Sequence, residues 1–238
     1  MPIRSIILLM PLVMFGLFVI SIVVGIFRNK NRSQQMQSEA QSLGFAFSHW
    51  SETLSAAKIA TPFFLSGSAG FKNVMTGSYD GMNVEVFDYS KMTGNAQKTD
   101  VTIQTVAVYT QNIDFPTFAL GQGGLVAKII DALEHQNVEV TSDKEFLHHH
   151  SVRGNGNDKE RIKALFSPSL VDFIKQLDRA KPWQIEGAGN KLVIYRYSRQ
   201  IKPTLLKDFL QETSAIAQSF FAYAGKTKPG AFSASSNF

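Results

Sequence analysis

Residues 74–110 read "VMTGSYDGMNVEVFDYSKMTGNAQKTDVTIQTVAVYT" and carry the clearest structural pattern in the chain. Asp80-Gly81 is a dipeptide typical of tight β-hairpin turns. The segments on either side of residues 91–99 are rich in Val, Ile, Thr and aromatic residues, which are enriched in strands. Residues 106–109 are apolar on both faces, which predicts a central strand covered on both sides. We expect the sheet to begin near Asn73.

The remaining elements do not alternate strictly between strand and helix. Residues 115–120 predict a short edge strand, because Pro116 cannot donate a ladder hydrogen bond. Residues 183–198 predict a hairpin with its glycines at the turn. Between them the pattern favours a helix at 123–136 and a strand at 137–142. The sequence therefore predicts an α+β fold, with a largely antiparallel sheet and packed helices.

Three helix starts are legible in the sequence. Asn157, with Glu160 three residues later, resembles a capping box. Ser167-Pro168 places a capping residue before a proline at the first helical position. Pro203 precedes a wide apolar stripe and should open the last helix.

Residues 5–27 form an uncharged apolar run. As a helix they span roughly 34 Å, against a hydrocarbon core of about 30 Å. The alternative is a cleaved signal peptide, whose apolar region is shorter and ends at a small-residue site. The run favours a single transmembrane helix that is not removed. We then expect a juxtamembrane helical segment at 28–60, a soluble α+β domain at 61–224 and a disordered tail at 225–238.

Basic residues on the two sides of this run differ in number. Arg4 precedes it, and Arg28, Lys30 and Arg32 follow it. The positive-inside rule therefore favours an inner-membrane protein whose soluble domain is cytoplasmic.

Net charge and cysteine content exclude several classes of function. The formal net charge is +5, but six of the 24 basic residues lie beside the apolar run or in the C-terminal tail, which leaves 18 against 19 acids. No basic stripe of the kind that contacts phosphate backbones is present, so no nucleic-acid partner is expected. The chain has no cysteine, which excludes disulfides, cysteine-ligated metals and cysteine nucleophiles.

Asp88 is the acidic residue most open to a functional interpretation. Strand alternation places it on one face with Val84 and Val86, and Glu85 on the other. Paired-carboxylate catalysis needs a second acid nearby, and neither Glu85 nor Asp80 is placed to supply it. The spacing favours a structural role for Asp88.

The other candidate motifs are weaker. His148, His149 and His150 could bind a metal, but His49 and His135 are the only other histidines and neither completes a spaced ligand set. Ser55 and Lys58 match S-x-x-K without its companion motifs. Residues 121–124, "GQGG", lack the lysine of a P-loop. The aromatic residues Phe63, Phe64 and Phe71 suit core packing better than lipid contact. We therefore predict no catalytic, cofactor-binding or metal-binding residue.

Several blocks together resemble a family of uncharacterised bacterial proteins with one N-terminal transmembrane helix and a soluble domain of unknown function. The blocks are "LGF" at 43–45, "NVMTG" at 73–77, "GMNVEVFDYS" at 81–90, "IQTVAVY" at 103–109, "FPTFAL" at 115–120, "RIKALFSPSLVDFI" at 161–174 and "WQIEGAGNKLVIYR" at 183–196. The resemblance implies a membrane-tethered domain and no particular activity.

Three functions are compatible with these features. The first is a non-enzymatic binding or scaffold module at the inner membrane, held in the lipid bilayer through residues 5–27, whose unidentified partner is a protein or an envelope component. The second is a membrane-tethered hydrolase that uses Asp88 with neighbours brought together by the fold. The third is a lipid-handling domain, which would need an apolar cavity or an exposed aromatic patch near the membrane end.

Overall fold

The structure is a computed structural model that describes residues 3–50, 59, 61, 62, 64, 68–94, 99–122, 136–177 and 182–226. Its strands are β1 Ala46–Trp50, β2 Ser68–Tyr79, β3 Met82–Gly94, β4 Thr99–Gly121, β5 Gln136–Asn137, β6 Ser151–Gly154 and β7 Gln184–Tyr195. Its α-helices are α1 Ile3–Ser42, α2 Lys144–His149, α3 Lys159–Leu165, α4 Pro168–Gln176 and α5 Leu206–Lys226. Short 3-10 turns at Gly156–Asp158 and Pro203–Leu205 precede α3 and α5.

The seven strands form one sheet in which every pairing is antiparallel. The order is β1-β2-β3-β4-β6-β5. β7 pairs with the edge of β4 that lies opposite β3. Together with the packed helices and the long N-terminal helix, this confirms the predicted α+β class. The β2–β3 turn follows the predicted dipeptide, since Asp80 and Gly81 both have positive φ, at 48° and 76°. That is the conformation of the two-residue turns that match strand twist.

Both faces of the central strands are buried, as residues 106–109 predicted. On one face Val84, Val86 and Tyr109 pack with α1 and α5 in the larger core. On the other face Phe87 and Val108 belong to a second cluster. Phe64 and Phe71 lie in this second cluster, so these two aromatics pack in the core as expected; Phe63 lies outside the described residues.

The sheet begins earlier than the sequence predicted. β1 starts at Ala46 and pairs with β2, which starts at Ser68, whereas the expected start was Asn73. The helix predicted to continue beyond the apolar run does so, because α1 runs unbroken to Ser42. Residues 46–50 of the expected juxtamembrane segment therefore lie in the sheet as its edge strand.

Two strand predictions were wrong for a shared reason. Residues 115–120 are not a separate edge strand but the continuation of β4, and residues 184–195 form one strand rather than a hairpin. β4 and β7 pair with each other, and their register shifts between Thr110 and Phe115 and again between Phe115 and Phe118. Pro116 lies in this irregular stretch. The proline and the glycines therefore mark bulges, where a strand bends without reversing.

The helix starts were predicted with mixed success. Ser167 caps α4 by accepting a hydrogen bond from the Leu170 N–H at 3.4 Å, with Pro168 at the first position. Pro203 opens the turn that leads into α5. The capping box at Asn157 is wrong, because a 3-10 turn precedes α3 and its Asn155 side chain accepts the Asn157 N–H instead.

Other predictions fall wholly or partly outside the described residues. The predicted helix at 123–136 does so except for Gln136, which begins β5. The predicted strand at 137–142 is wrong beyond Asn137, which ends β5, because residues 138–142 are described and lie in no strand. The predicted tail lies outside the described residues from position 227, and α5 includes residues 225 and 226.

Candidate functional site

Asp88 lies on the α1-facing side of β3 and accepts four hydrogen bonds. Arg32 binds it with a two-pronged contact, Nε to Oδ2 at 2.9 Å and Nη2 to Oδ1 at 2.8 Å. Asn73 Nδ2 donates to Oδ2 at 2.8 Å, and Thr105 Oγ1 donates to Oδ1 at 2.9 Å. The side chain is only 5 % exposed. Each carboxylate oxygen thus has two donors, and the negative charge is held beside a guanidinium of matching shape.

Arg32 reaches this position because α1 continues beyond the apolar run and packs on the sheet. Its Nη1 also donates to the backbone oxygen of Ile201 at 2.6 Å, which joins α1 to the segment that precedes α5. The Ile201 N–H in turn donates to Thr105 Oγ1 at 3.1 Å. One arginine therefore connects α1, β3 and the start of the last helix. The sequence pattern treated Arg32 only as a flanking charge, because 56 positions separate it from Asp88.

Asn73 fixes the direction of the hydrogen bonds around Asp88. It lies at the irregularity between Lys72 and Met75, with φ at 51°, a conformation that asparagine adopts more readily than most residues. Its amide nitrogen donates to Asp88, so its oxygen Oδ1 is left to accept. Ser33 on α1 donates its hydroxyl hydrogen to that oxygen at 2.5 Å.

His49 continues this chain of hydrogen bonds. Its Nδ1 lies 2.8 Å from the Ser33 hydroxyl oxygen. Because the only hydroxyl hydrogen of Ser33 is directed to Asn73, the His49 Nδ1–H must be the donor in this contact. A histidine that donates to a serine cannot remove the serine proton in that arrangement, so the pair is not set up as a base and nucleophile.

A cleft of about 470 Å³ opens over these residues. Its walls come from α1 just beyond the apolar run, from the end of β1, and from β2, β3 and β4. Lys30 and Lys72 line it, and Trp50 is 62 % exposed beside it. The Lys72 ammonium lies 4.6 Å from the centre of the Trp50 ring, a cation–π contact. Within the part of the chain that the structure describes, neither lysine is in an ion pair.

A second polar group is buried on the opposite face of the sheet. Tyr195 donates to Glu186 Oε1 at 2.6 Å, and both side chains are almost fully buried. Lys91, also buried, has its pKa lowered by burial and partly raised again by Glu186. Burial, followed by the charge of Glu186, raises the pKa of Tyr195. The burial of these side chains suits a polar contact within the second core.

The structure separates most of the other sequence candidates from the cleft. His148 and His149 lie in α2 with their rings 4.8 Å apart, and His150 follows that helix. The described residues contain no group of three side chains suited to hold a metal ion. Gly121 ends β4. Ser55, Lys58, His135 and residues 123–124 lie outside the described residues.

Comparisons with known proteins add a likeness of fold. No protein-family model and no curated protein matches the chain. A crystal structure of the mycobacterial trehalose monomycolate transport factor A, TtfA, is similar over 83 % of this chain and 97 % of that chain, with a TM-score of 0.55. The sequence identity is 15 %. The likeness is one of architecture alone.

Proposed function

We propose that this protein is a non-enzymatic module, anchored in the membrane by α1, that binds the headgroup of an anionic lipid in the cleft beside the bilayer. The observation that carries this proposal is the position of the cleft. It opens at residues 29–37 of α1, directly after the apolar run at 5–27. A lipid headgroup is the chemical group that is always present at that level of a membrane.

The anchor is supported by the exposed side chains of α1. The helix is long and apolar enough to cross a membrane, and the most apolar part of its Met14–Ser42 stretch has no buried residue. Phe15, Phe18 and Phe27 are each more than 60 % exposed. In water such a surface is unfavourable, whereas in lipid it is the expected one. Burial of residues 5–27 in lipid accounts for both the length and the apolar composition of this segment.

The charges around the cleft favour an anionic ligand. Arg32 offsets Asp88 within the wall, so the site is not acidic despite its buried carboxylate. Lys30 and Lys72 add two positive charges to this neutral pair, and among the described residues neither lysine is in an ion pair. Trp50 supplies an amphipathic ring of the kind that is enriched at membrane interfaces. These groups together suit a phosphate-bearing headgroup whose acyl chains remain in the membrane.

The geometry supports the hydrolase alternative less well. Asp88 has no free oxygen lone pair directed at a substrate, because its four donors are protein groups. His49 donates to Ser33 rather than accepting from it. A general base must have an available lone pair within reach of the proton that it removes. The polar groups at the cleft therefore suit binding better than proton transfer.

The fold likeness is compatible with lipid handling. The TtfA neighbour is described as a transport factor for trehalose monomycolate, which connects that protein with a lipid. Because the identity is 15 %, we do not carry over that ligand. The shared element is a mixed helix and sheet architecture associated with a lipid-related role. Lipid binding by this chain is proposed from the residues of its own cleft, not from the neighbour.

Photo-crosslinking in lipid nanodiscs tests the proposal. The full chain is placed in discs that contain equal amounts of photoactivatable phosphatidylglycerol and phosphatidylcholine, and crosslinked peptides are identified by mass spectrometry. We expect phosphatidylglycerol adducts on peptides that contain Trp50 or Lys72. The double variant Lys30→Gln/Lys72→Gln should reduce these adducts roughly tenfold or more, because each cation near the surface attracts anionic lipid.

Lys207→Gln is the matched control, since it removes one exposed positive charge from α5, outside the cleft. It should leave the crosslinks unchanged. Equal labelling by the two lipids, or labelling that the double variant does not alter, contradicts an anionic headgroup site. Crosslinks from the cleft to a co-purified protein and not to lipid would instead favour the protein-partner function.

A further inference from the structure

Three exposed apolar side chains form a strip at the membrane end of the β3–β4 hairpin. Met92 and Val101 are each 56 % exposed, and Ile103 is 45 % exposed. Met92 pairs with Val101, and Ser90 pairs with Ile103. Directly paired residues share a face of the sheet, and alternate residues of β3 return to that face. The strip therefore lies on the same face as Asp88.

The position of this strip relative to the apolar run of α1 follows from the way α1 and β2 run side by side. Ser33 of α1 contacts Asn73 of β2. Seven helical residues later, Ala40 accepts the N–H of Phe45, and the Phe45 ring lies against Gly77. Seven helical residues advance about 10 Å, and the four strand residues from 73 to 77 advance about 13 Å. Both elements therefore lead away from the apolar run in the same direction, and they cover similar distances between these two contacts.

The same relation applies in the opposite direction along β3. Asp88 is level with Arg32, to which it is bound, and pairs with Lys72 in β2. Met92 is four strand residues, about 13 Å, further toward the apolar run, which corresponds to about nine helical residues before Arg32. That level is Val23, inside the run at 5–27. The strip thus reaches the depth at which α1 is already in lipid.

We propose that the strip of Met92, Val101 and Ile103 lies in the outer part of the bilayer and forms a second membrane contact beside α1. This inference rests on the membrane anchor of the proposed function. The occupant is lipid rather than a protein, because the strip continues the lipid-facing surface of the anchor at the same depth. Ile103 also lines the cleft, so the strip joins the cleft to the hydrocarbon region. Apolar faces of peripheral elements enter this boundary by about 5–10 Å.

Depth-dependent fluorescence quenching tests the strip in the full chain. Because the sequence has no cysteine, a single cysteine can carry an environment-sensitive dye at a chosen position. We compare Val101→Cys with Asn112→Cys, an exposed position further along β4, and with Phe18→Cys in the anchor. The labelled proteins are reconstituted into liposomes with nitroxide groups placed shallow or deep in the acyl chains.

We expect the dye at position 101 to show blue-shifted emission and to lose fluorescence with the shallow nitroxide. The dye at 112 should keep water-like emission, and the dye at 18 should be quenched strongly. If position 18 is quenched but 101 behaves like 112, the anchor stands and the strip proposal is overturned. If neither 18 nor 101 is quenched, both proposals fall. Equal quenching at 101 and 112 also overturns it, because the sheet would then lie flat on the membrane. Circular dichroism checks that each variant is folded.

Discussion

Asp88 and Arg32 form a salt bridge that is largely shielded from water, with exposures of 5 % and 16 %. Bringing two charges out of water costs free energy, and the paired geometry with its extra donors offsets that cost. Asn73 and Thr105 supply those donors on the carboxylate, and the Ile201 carbonyl accepts from the guanidinium. The pair therefore stabilises the contact between α1 and the sheet only while both partners are present.

Replacing Asp88 by asparagine should destabilise the domain by about 3 kcal/mol, because breaking a buried pair leaves an uncompensated charge. The substitution keeps the size of the side chain but removes the charge opposite Arg32. Denaturant unfolding of the full chain in detergent, followed by circular dichroism, measures the change. Asp114→Asn is the control, since its pair with Arg161 is 78 % and 49 % exposed and should contribute less than about 1 kcal/mol. Similar losses in the two variants would mean that the Asp88 pair is not effectively buried.

This pair also shows why the site was hard to predict from sequence. Alternation placed Asp88 on the correct face with Val84 and Val86, which the structure confirms. It could not select Arg32, because that contact depends on how α1 lies across the sheet. Asn73 gave no signal either, since its role comes from a local irregularity in β2. Local pattern gives the direction of a side chain, and packing decides which distant residue it meets.

At the scale of the element, β7 explains both the success and the failure of strand prediction. Its apolar and β-branched residues identified it as strand, but its glycines suggested a turn. In the structure Gly189 adopts a positive φ of 56° at a bulge, and Gly187 faces the ring of Phe118 in β4. A glycine in a strand can serve a turn, a bulge or a close approach, and only the partner strand distinguishes them.

Gly187→Ala should therefore destabilise the protein by about 1–3 kcal/mol through overpacking. An added Cβ would overlap the Phe118 ring. That ring cannot move aside easily, because it is stacked on Phe220 and meets the edge of Phe166. Thermal and denaturant unfolding measure the loss.

Gly156→Ala is the matched control for that prediction. No heavy atom lies within 4 Å of an added Cβ at position 156, so we expect a change within about 0.5 kcal/mol. Equal stability of the two variants would show that the contact between β4 and β7 at Gly187 is looser than its geometry implies.

At the scale of the whole molecule, α1 connects two environments with different physical requirements. Its first part has exposed aromatic and aliphatic side chains, which suit the lipid environment proposed for it. Its last part buries Met36 and Ala40 in the larger core of the domain. Because α1 is one unbroken helix, the proposed anchor would hold the domain at a short, fixed distance from the bilayer rather than on a flexible tether. That distance determines the proposed levels of the cleft and of the strip relative to the bilayer.

The basic residues that flank the apolar run predict on which side of the membrane the domain lies, and two of them, Lys30 and Arg32, also line the cleft. Arg28, Lys30 and Arg32 follow the apolar run, and Arg4 precedes it. Positive flanks are retained in the cytoplasm during insertion, so we expect a C-terminal fluorescent reporter to be active there and a C-terminal alkaline phosphatase reporter to be inactive.

Arg28→Gln/Lys30→Gln leaves one basic residue on each side, and this should shift part of the population to the opposite orientation. Lys207→Gln removes a distant charge and should not shift it. Strong phosphatase activity from the unmodified chain would place the domain outside the cytoplasm. The cleft would then face the outer leaflet, and its lysines would have to meet the anionic lipids present there.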